Sequence, residues 1–492
     1  MQETELKLQV PATRRAAIDK ALRGRESAPR LRLQATYFDT ADRALAQAGL
    51  ALRVRREGRG WVQTLKGKGS DGLTRSEHNV PLPAGTASAD PALHAGTPAG
   101  DRLRAVLDES PAPALLAQFT TDVLRRARQV RTREGTVELA FDEGAIVAGD
   151  RRMPVSELEI ELVSGSPLAV VATARRWVLR HGLWLDTRTK AERGGLLARG
   201  ETMAPHRTAQ PVEMAPDMSP AQALRCVLLS CLDQIAANAS QVASGPYGDE
   251  HVHQLRIGLR RLRSALRLFP DVPVSPGLDE QATALFRRLG AARDQAAVAL
   301  PLQRELNRVA QAAGLDFEVP VLPGVDGAAE PAFIVRLGPA QGLLLDLFAL
   351  TQADVPAPAD GEPVLRDVLT RRLNGWHRKV MSDAARFASL DDAARHAMRK
   401  RAKRLRYGAE FSAALFKRQA VKRYLKPLRE LQERLGAIVD TMVALDAYRP
   451  LAGSDQHALF ALGWLAAREE VLVQGSAPAM KAFREARRFW KN

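Results

Sequence analysis

The sequence predicts two structural regimes in one chain, a strand-rich α+β half over residues 1 to about 200 and an all-α half after it. Short alternating runs at 3–10, 51–56 and 155–163 are separated by Gly, Pro and Asp clusters, the pattern of half-buried strands. The stretch 202–218 carries Pro205, Pro211 and Pro216 and has no periodicity, which marks a connecting segment. Beyond it apolar residues recur at helical spacing, as in 221–237, 251–269, 282–305 and 396–416. These changes place domains at 1–201 and 218–492, joined by a linker at 202–217.

Bulk properties bound the function. A chain of 492 residues exceeds one ordinary domain, and 46% hydrophobic with 26% charged residues is a globular composition. No apolar run of about 18 residues predicts a membrane span. Charges begin at Glu3 and no apolar leader follows, so no secretory signal is expected and the cytoplasm is the expected compartment. Cys226 and Cys231 match no zinc or disulfide framework and read as structural. The net charge of +16 is shared by both halves, which favours polyanionic partners. Aromatic residues make up 5%, too few for the stacking platforms of single-stranded nucleic acid. The partner expected is phosphate without bases.

Helices are expected within the first half near 11–23 and 167–181; the rest reads as strands. In a strand, residues i and i+2 share a face. Glu3, Glu5 and Lys7 form one such row, Arg53 and Arg55 another, then Lys66 with Lys68, Arg75 with Glu77, and Glu157, Glu159 and Glu161. Arg188, Lys190 and Glu192 read as a further row. Apolar residues alternate with them, among them Leu6, Leu52, Val54, Leu65, Leu158 and Ile160. Each row alone fits a solvated outer face. Three glutamates in one row, however, repel one another unless cations neutralise them. A barrel with a charged lumen and helices covering its apolar outside accounts for all the rows together. Carboxylates at this density suit hard cations such as Mg²⁺ or Mn²⁺, and the Arg and Lys rows suit phosphate oxygens. Together they point to metal-assisted phosphoryl chemistry.

These residues also resemble a known family. Glu3-x-Glu5-x-Lys7 is similar to the ExExK signature of CYTH domains, the triphosphate tunnel metalloenzymes. In order follow Tyr37-Phe38-Asp39-Thr40, Leu52-Arg53-Val54-Arg55, Thr64-Leu65-Lys66-Gly67, Arg75-x-Glu77, Phe119-Thr120-Thr121 before Arg125, Glu157-x-Glu159-x-Glu161 and Lys190-Ala191-Glu192-Arg193-Gly194. The resemblance covers residues 1–200 and implies an eight-stranded antiparallel barrel around a hydrophilic tunnel. It implies divalent metal, Mg²⁺ first, on Glu3 and Glu5 with Glu159 and Glu161, to which the row adds Glu157. It implies triphosphate held by Lys7, Arg53, Arg55, Lys66, Arg75 and Arg125, with Lys190 and Glu5 at the chemistry. Lys190 would protonate the leaving phosphate or orient the attacking water. Arg126 and Arg128 are rivals for the role of Arg125, and Thr189 stands where the family usually has Ser.

The helical half contains a repeat. His253, Arg256, Arg260, Arg261 and Arg263 recur at one offset as His396, Arg399, Lys403, Arg404 and Arg406. Arg288-Leu289-Gly290-Ala291 with Asp294 recurs as Arg434-Leu435-Gly436-Ala437 with Asp440. Two motifs repeating in order indicate a duplicated helical unit. His253, Arg256, Arg260 and Arg263 form one helical stripe, as do His396, Arg399, Lys403 and Arg406, with few acids at the i,i+4 positions that a solvated face would use. This half resembles the CHAD family over about 218–492. The resemblance implies two pseudo-symmetric helical bundles whose basic surface, these eight residues included, binds inorganic polyphosphate.

The leading expectation is therefore a metal-dependent hydrolase of inorganic triphosphate with a polyphosphate-binding module, possible company for polyphosphate granules. The alternative is a non-catalytic scaffold for such granules. Nucleic-acid binding through the basic helices is disfavoured by the scarce aromatics. The rows do not distinguish inorganic triphosphate from nucleoside or thiamine triphosphate, because they contact the shared phosphates.

Overall fold

The computed structural model describes residues 2–23, 29–69, 73–291, 294–322, 329–355 and 363–491, and of 291 and 294–300 the backbone alone. The first half runs β1 (Gln2–Gln9), α1 (Arg15–Arg23), β2 (Leu31–Asp39), α2 (Ala44–Gln47), β3 (Leu50–Glu57), β4 (Gly60–Lys68) and β5 (Thr74–Leu82). It continues with α3 (Pro98–Glu109), β6 (Leu116–Arg131), β7 (Gly135–Ala148), β8 (Arg151–Gly165), α4 (Leu168–His181), β9 (Trp184–Leu185) and α5 (Lys190–Ala198). The strands pair antiparallel in the order β5-β4-β3-β2-β6-β7-β8-β1, and β1 pairs with β5, so eight strands close into a barrel. The short β9 adds to β1 through Leu8 and Gln9.

Alternation sets the two faces. Leu6, Leu8, Leu52, Val54, Leu65, Leu139, Phe141, Leu158 and Ile160 are buried outside the barrel wall, where α1 to α4 cover it. Burying a side chain of this size contributes about 1.5–3 kcal/mol, which fixes the register. Directly opposed residues of antiparallel neighbours share a face. Glu5 opposes Glu161, Lys7 opposes Glu159, Asp142 opposes Glu157, Arg125 opposes Asp142, Lys66 opposes Glu77 and Tyr37 opposes Arg53, and this charged set lines the lumen. One end of the same face turns apolar, with Leu33, Tyr37, Phe119, Val123, Ile146 and Val155 packed against Ala191, Leu197 and Ala198 of α5. A Cβ on Gly194 would fall 2.1 Å from the Phe119 ring, so this packing requires glycine.

Residues 202–219 carry no helix or strand. Helices follow: α6 (Pro220–Ala243), α7 (Asp249–Leu268), α8 (Leu278–Ala291), α9 (Asp294–Ala312), α10 (Pro331–Arg336), α11 (Gly338–Gln352), α12 (Leu365–Ala385), α13 (Asp392–Phe411), α14 (Arg418–Tyr448), α15 (His457–Gln474) and α16 (Ala477–Glu485). Of the segment 282–305, expected as one helix, 282–291 lie in α8 and 294–305 in α9, and 292–293 lie outside the described residues. The repeat is visible in the elements: α7 then α8 in the first copy, α13 then α14 in the second. The Leu-Gly-Ala motif lies in α8 in one copy and in α14 in the other; Asp294 falls where only backbone is described. Among the described residues no helix is long and apolar enough to cross a membrane.

Compactness groups the chain differently from the change in element type. One unit comprises Met1–Thr208, Leu232–Leu255 and Pro331–Asp354; the other comprises Ala209–Cys231, Arg256–Glu330 and Val355–Asn492. Within the first, α11 packs on α4. The second is built on α12, α13, α14 and α16, with Tyr424, Phe483, Phe489 and Trp490 in mutual ring contact.

Candidate functional site

The lumen residues fall into an acidic side, a basic side and a lysine between acids. On β1, Glu3 accepts from Lys66 Nζ at 2.6 Å, and Glu77 lies 3.0 Å from the same ammonium. Arg75 pairs with Glu5 at 3.0 Å. Burial pushes Glu3 up to about 8 against the pull of Lys66, with Glu5 and Glu77 adding to the rise; Glu161 is also raised, again first by burial. Lys7 is buried and held below its ordinary value by burial and by Arg75. On β3, Arg53 donates to the Tyr37 hydroxyl at 3.1 Å, and Arg55 pairs with Glu57. Burial, Arg53 and Arg125 together bring Arg55 down to about 10. The Nε atoms of Arg53 and Arg55 are buried and have no hydrogen-bond partner among the described residues. Crowded guanidiniums with unspent donors form an anion site.

Lys190 lies among three carboxylates. Its Nζ is 2.7 Å from Asp142 and 2.8 Å from Glu159 and also pairs with Glu157. Asp142 and Glu157 are 0% exposed. Arg125 binds Asp142 through Nε at 2.7 Å and Nη2 at 2.8 Å and reaches Glu159 as well, while Arg193 binds Glu157. Against the cost of burial, Lys190 and Arg125 hold Asp142 and Glu159 below the usual carboxylate range, and the three carboxylates raise Lys190. Lys190 is the first residue of α5, not part of a strand, which corrects the expected row Arg188, Lys190 and Glu192. Thr189 caps the helix: its hydroxyl accepts from Glu192 N at 2.9 Å, and Glu192 accepts from Thr189 N at 2.7 Å. The threonine hydroxyl serves the cap that a serine would.

Among the described residues one group of three carboxylates gathers closely enough to hold a cation. Asp142, Glu157 and Glu159 bring ligand oxygens within 4.8 Å of one another, but Lys190, Arg125 and Arg193 already neutralise them. Glu3, Glu5 and Glu161 sit on adjacent strands, Glu5 opposite Glu161 and Glu138 opposite Glu161. There the carboxylates outnumber their cations, and carboxylate oxygens are donors of the kind hard divalent cations take.

The site thus gathers Glu3, Glu5, Lys7, Arg53, Arg55, Lys66, Arg75, Arg125, Glu157, Glu159, Glu161 and Lys190 in one lumen. Arg126 points outward to Asp19 at 2.8 Å, which separates it from Arg125. Sequence reasoning missed Asp142, Glu138 and Arg193 as members. Glu138-x-Ala140-x-Asp142 held the parity signal, interrupted by alanine.

The basic stripes of α7 and α13 divide in two. Arg256, Arg260, Arg399, Lys403 and Arg406 influence one another: burial and Arg256, Arg399 and Arg406 lower Arg260, and burial with Arg260 and Arg399 brings Lys403 down to about 6. Arg256 and Arg260 lie 4.7 Å and 5.6 Å from the Phe286 ring centroid. The Nε atoms of Arg260, Arg399 and Arg406 are buried without a partner among the described residues. Arg263 stands apart, bound with Arg267 to Asp279 at 3.0 Å and 3.2 Å and grouped with Arg404. Acids from other helices meet the stripes, Asp440 lying 3.2 Å from Arg399, and Glu410, on the same helix as Arg406, lies 3.9 Å from it. His396 lies beside Arg399, Lys400 and Lys403, and His253 is half-buried on α7.

Comparison with known proteins agrees with this architecture. Residues 1–194 match the CYTH domain family and residues 226–449 the CHAD domain family. An inorganic triphosphatase of Haemophilus influenzae is 33% identical over 167 residues, 33% of this chain and 45% of that protein, so the chain spans less than half of this relative. The CHAD domain of the plant Ricinus communis is 27% identical, covering 58% of this chain and 98% of its own, with a TM-score of 0.47. A Hippeastrum protein, whose structure is described as revealing a dominant triphosphatase activity, is 21% identical and covers 41% of this chain and 97% of its own, with a TM-score of 0.29. A CYTH domain is thus found over the barrel residues 1–194 and a CHAD domain over the helical residues 226–449.

Proposed function

We propose that the barrel hydrolyses inorganic triphosphate to diphosphate and phosphate with a divalent metal, Mg²⁺ first, and that the helical basic cluster binds inorganic polyphosphate. The observation that carries the reading is the pair Arg53 and Arg55, buried with unspent Nε donors across the lumen from the carboxylates. Arg53, Arg55 and Arg125, with Lys7, Lys66 and Arg75, hold the phosphate oxygens. Glu3, Glu5 and Glu161 would hold the metal, with Glu157 and Glu159 nearby. When bound, the metal neutralises phosphate charge as a Lewis acid. Lys190 is kept as an ammonium by three carboxylates that take up its three N–H donors, so it counters phosphate charge at the tunnel site instead of shuttling a proton. Glu5, steadied by Arg75, orients the attacking water. The water oxygen bonds to the terminal phosphorus, the bond to the bridging oxygen breaks, and diphosphate leaves while the water's proton is released.

In the helical cluster, Arg256, Arg260, Arg399, Lys403 and Arg406 form the polyphosphate contact, with His396, His253 and Arg263 at its margins. The test is a panel of tripolyphosphate, ATP, thiamine triphosphate and long-chain polyphosphate assayed with Mg²⁺ and with EDTA. Tripolyphosphate turnover with Mg²⁺ is expected to exceed the others. Polyphosphate binding without any turnover would instead support a granule scaffold.

A further inference from the structure

The loop that delivers Lys190 to the lumen is clamped by side chains of the helical half. Between β9 and α5, residues 186–189 are held on the barrel side by Asp186, which is 1% exposed. Its carboxylate accepts from Gln9 at 3.1 Å and from the Arg188 backbone and guanidinium at 2.8–2.9 Å, while its backbone N donates to Lys7 O at 3.0 Å. Gln9 lies in turn 3.4 Å from Glu157, a partner of Lys190. On the other side stand α6 and α11, whose segments Leu232–Leu255 and Pro331–Asp354 belong to the barrel's own compact unit. Ser240 Oγ accepts from Thr187 N at 3.0 Å and lies 3.2 Å from its hydroxyl. Gln241 Oε1 accepts from Arg188 Nη1 at 3.4 Å, and Gln341 Oε1 accepts from Leu185 N at 2.7 Å.

All three side chains are at most 2% exposed. Buried polar groups on helices otherwise lined by Leu and Ala are costly unless bonded, and these direct part of their bonding to one short loop. Gln241 and Gln341 are themselves fixed, donating to Pro246 O at 2.6 Å and Val335 O at 2.8 Å. The loop is therefore set from two rigid sides, and so is the first residue of α5 beside it.

We propose that Ser240, Gln241 and Gln341 are positioning residues for the tunnel reaction: helices of the CHAD half fix residues 185–188, the end of β9 and the loop after it, and through them the place of Lys190. This rests on the triphosphatase reading above. Positioning faults of about 1 Å lower turnover up to about a hundredfold with little effect on ground-state binding.

The experiment compares full-length wild type with the double variant Ser240→Ala and Gln241→Met, with Thr187→Val, and with Gln241→Glu, by steady-state tripolyphosphate hydrolysis and thermal melting. The double variant is expected to lose about tenfold or more in kcat with KM within about twofold, and Thr187→Val to fall in the same direction. Gln241→Glu keeps the acceptor facing Arg188 but loses the donor to Pro246 O, so its kcat should fall between wild type and the double variant. Leu343→Ala, which empties a buried site on α11 without touching the loop, should melt lower with kcat kept. Unchanged kcat in both the double variant and Thr187→Val, beside an active wild type, would overturn the positioning role alone. An equal loss in Leu343→Ala at an equal fall in melting temperature would overturn it too, since destabilisation would then suffice. A wild type without turnover would remove the triphosphatase reading and this inference together.

Discussion

Lys190 is held by Asp142, Glu157 and Glu159, so losing any one partner leaves buried charge uncompensated. Glu159→Gln removes one of these and one partner of Arg125, and Glu3→Gln removes a proposed metal ligand. Each should lower kcat by about a hundredfold or more, with circular dichroism unchanged. Arg53→Ala should act chiefly on KM, because its unspent donor is read as meeting the ground-state phosphate. Lys403 offers a pH test. With a value of about 6 it is mostly neutral at pH 8 and charged at pH 5.5, so the site gains a positive charge as pH falls. Arg260, Arg399, Arg406 and Asp440 face it. Polyphosphate should bind more tightly at pH 5.5 than at 8, and Lys403→Gln should shrink the difference to what His396 leaves. Equal affinities in the wild type would contradict this. At this scale the sequence was legible wherever charges alternated without a break. Asp142 escaped because Ala140 interrupts its row, and Arg125 separated from Arg126 only once β6 fixed which residue faces inward.

Helix α5 depends on a cap that also places Lys190. Thr189→Ala should cost about 1 kcal/mol in stability and lower kcat further than that loss explains. The Thr189-x-x-Glu192 capping box was present in the sequence, but the strand parity of Arg188, Lys190 and Glu192 competed with it. A two-residue period over five positions is weak evidence beside a cap. Two buried histidines, one per compact unit, set a pH limit. His94 bonds Gln63 and His78, His377 bonds the Tyr424 hydroxyl at 2.9 Å, and burial brings both down to about 4. Unfolded histidine titrates near about 6.5, so the unfolded chain takes up protons first as pH falls. Their stabilising effect is complete above about pH 6.5, is lost progressively down to about 4, and does not change further below. Urea midpoints should drop between pH 7.5 and 5, by on the order of 1 kcal/mol for each histidine, and His377→Gln should flatten its share. A midpoint independent of pH would refute this.

Across the whole chain, the repeat was legible because charge and Leu-Gly-Ala motifs recur in one order, and the barrel because its rows share a parity. The grouping of 232–255 and 331–354 with the barrel was not legible: it rests on polar side chains such as Ser240 and Gln341, whose partners lie far away in sequence. A fragment ending at residue 201 omits those partners and should turn over tripolyphosphate more slowly than the full chain. Polyphosphate affinity should fall steeply with salt through counterion release, and reversing Arg260 and Arg399 should flatten that slope while tripolyphosphate turnover persists. The account stands or falls on ³¹P NMR of tripolyphosphate incubated with the full-length protein, in Mg²⁺ and in EDTA. The expected result is conversion to diphosphate and phosphate in Mg²⁺ and intact substrate in EDTA. Intact substrate in both, or equal conversion in both, would contradict a metal-dependent triphosphatase tunnel.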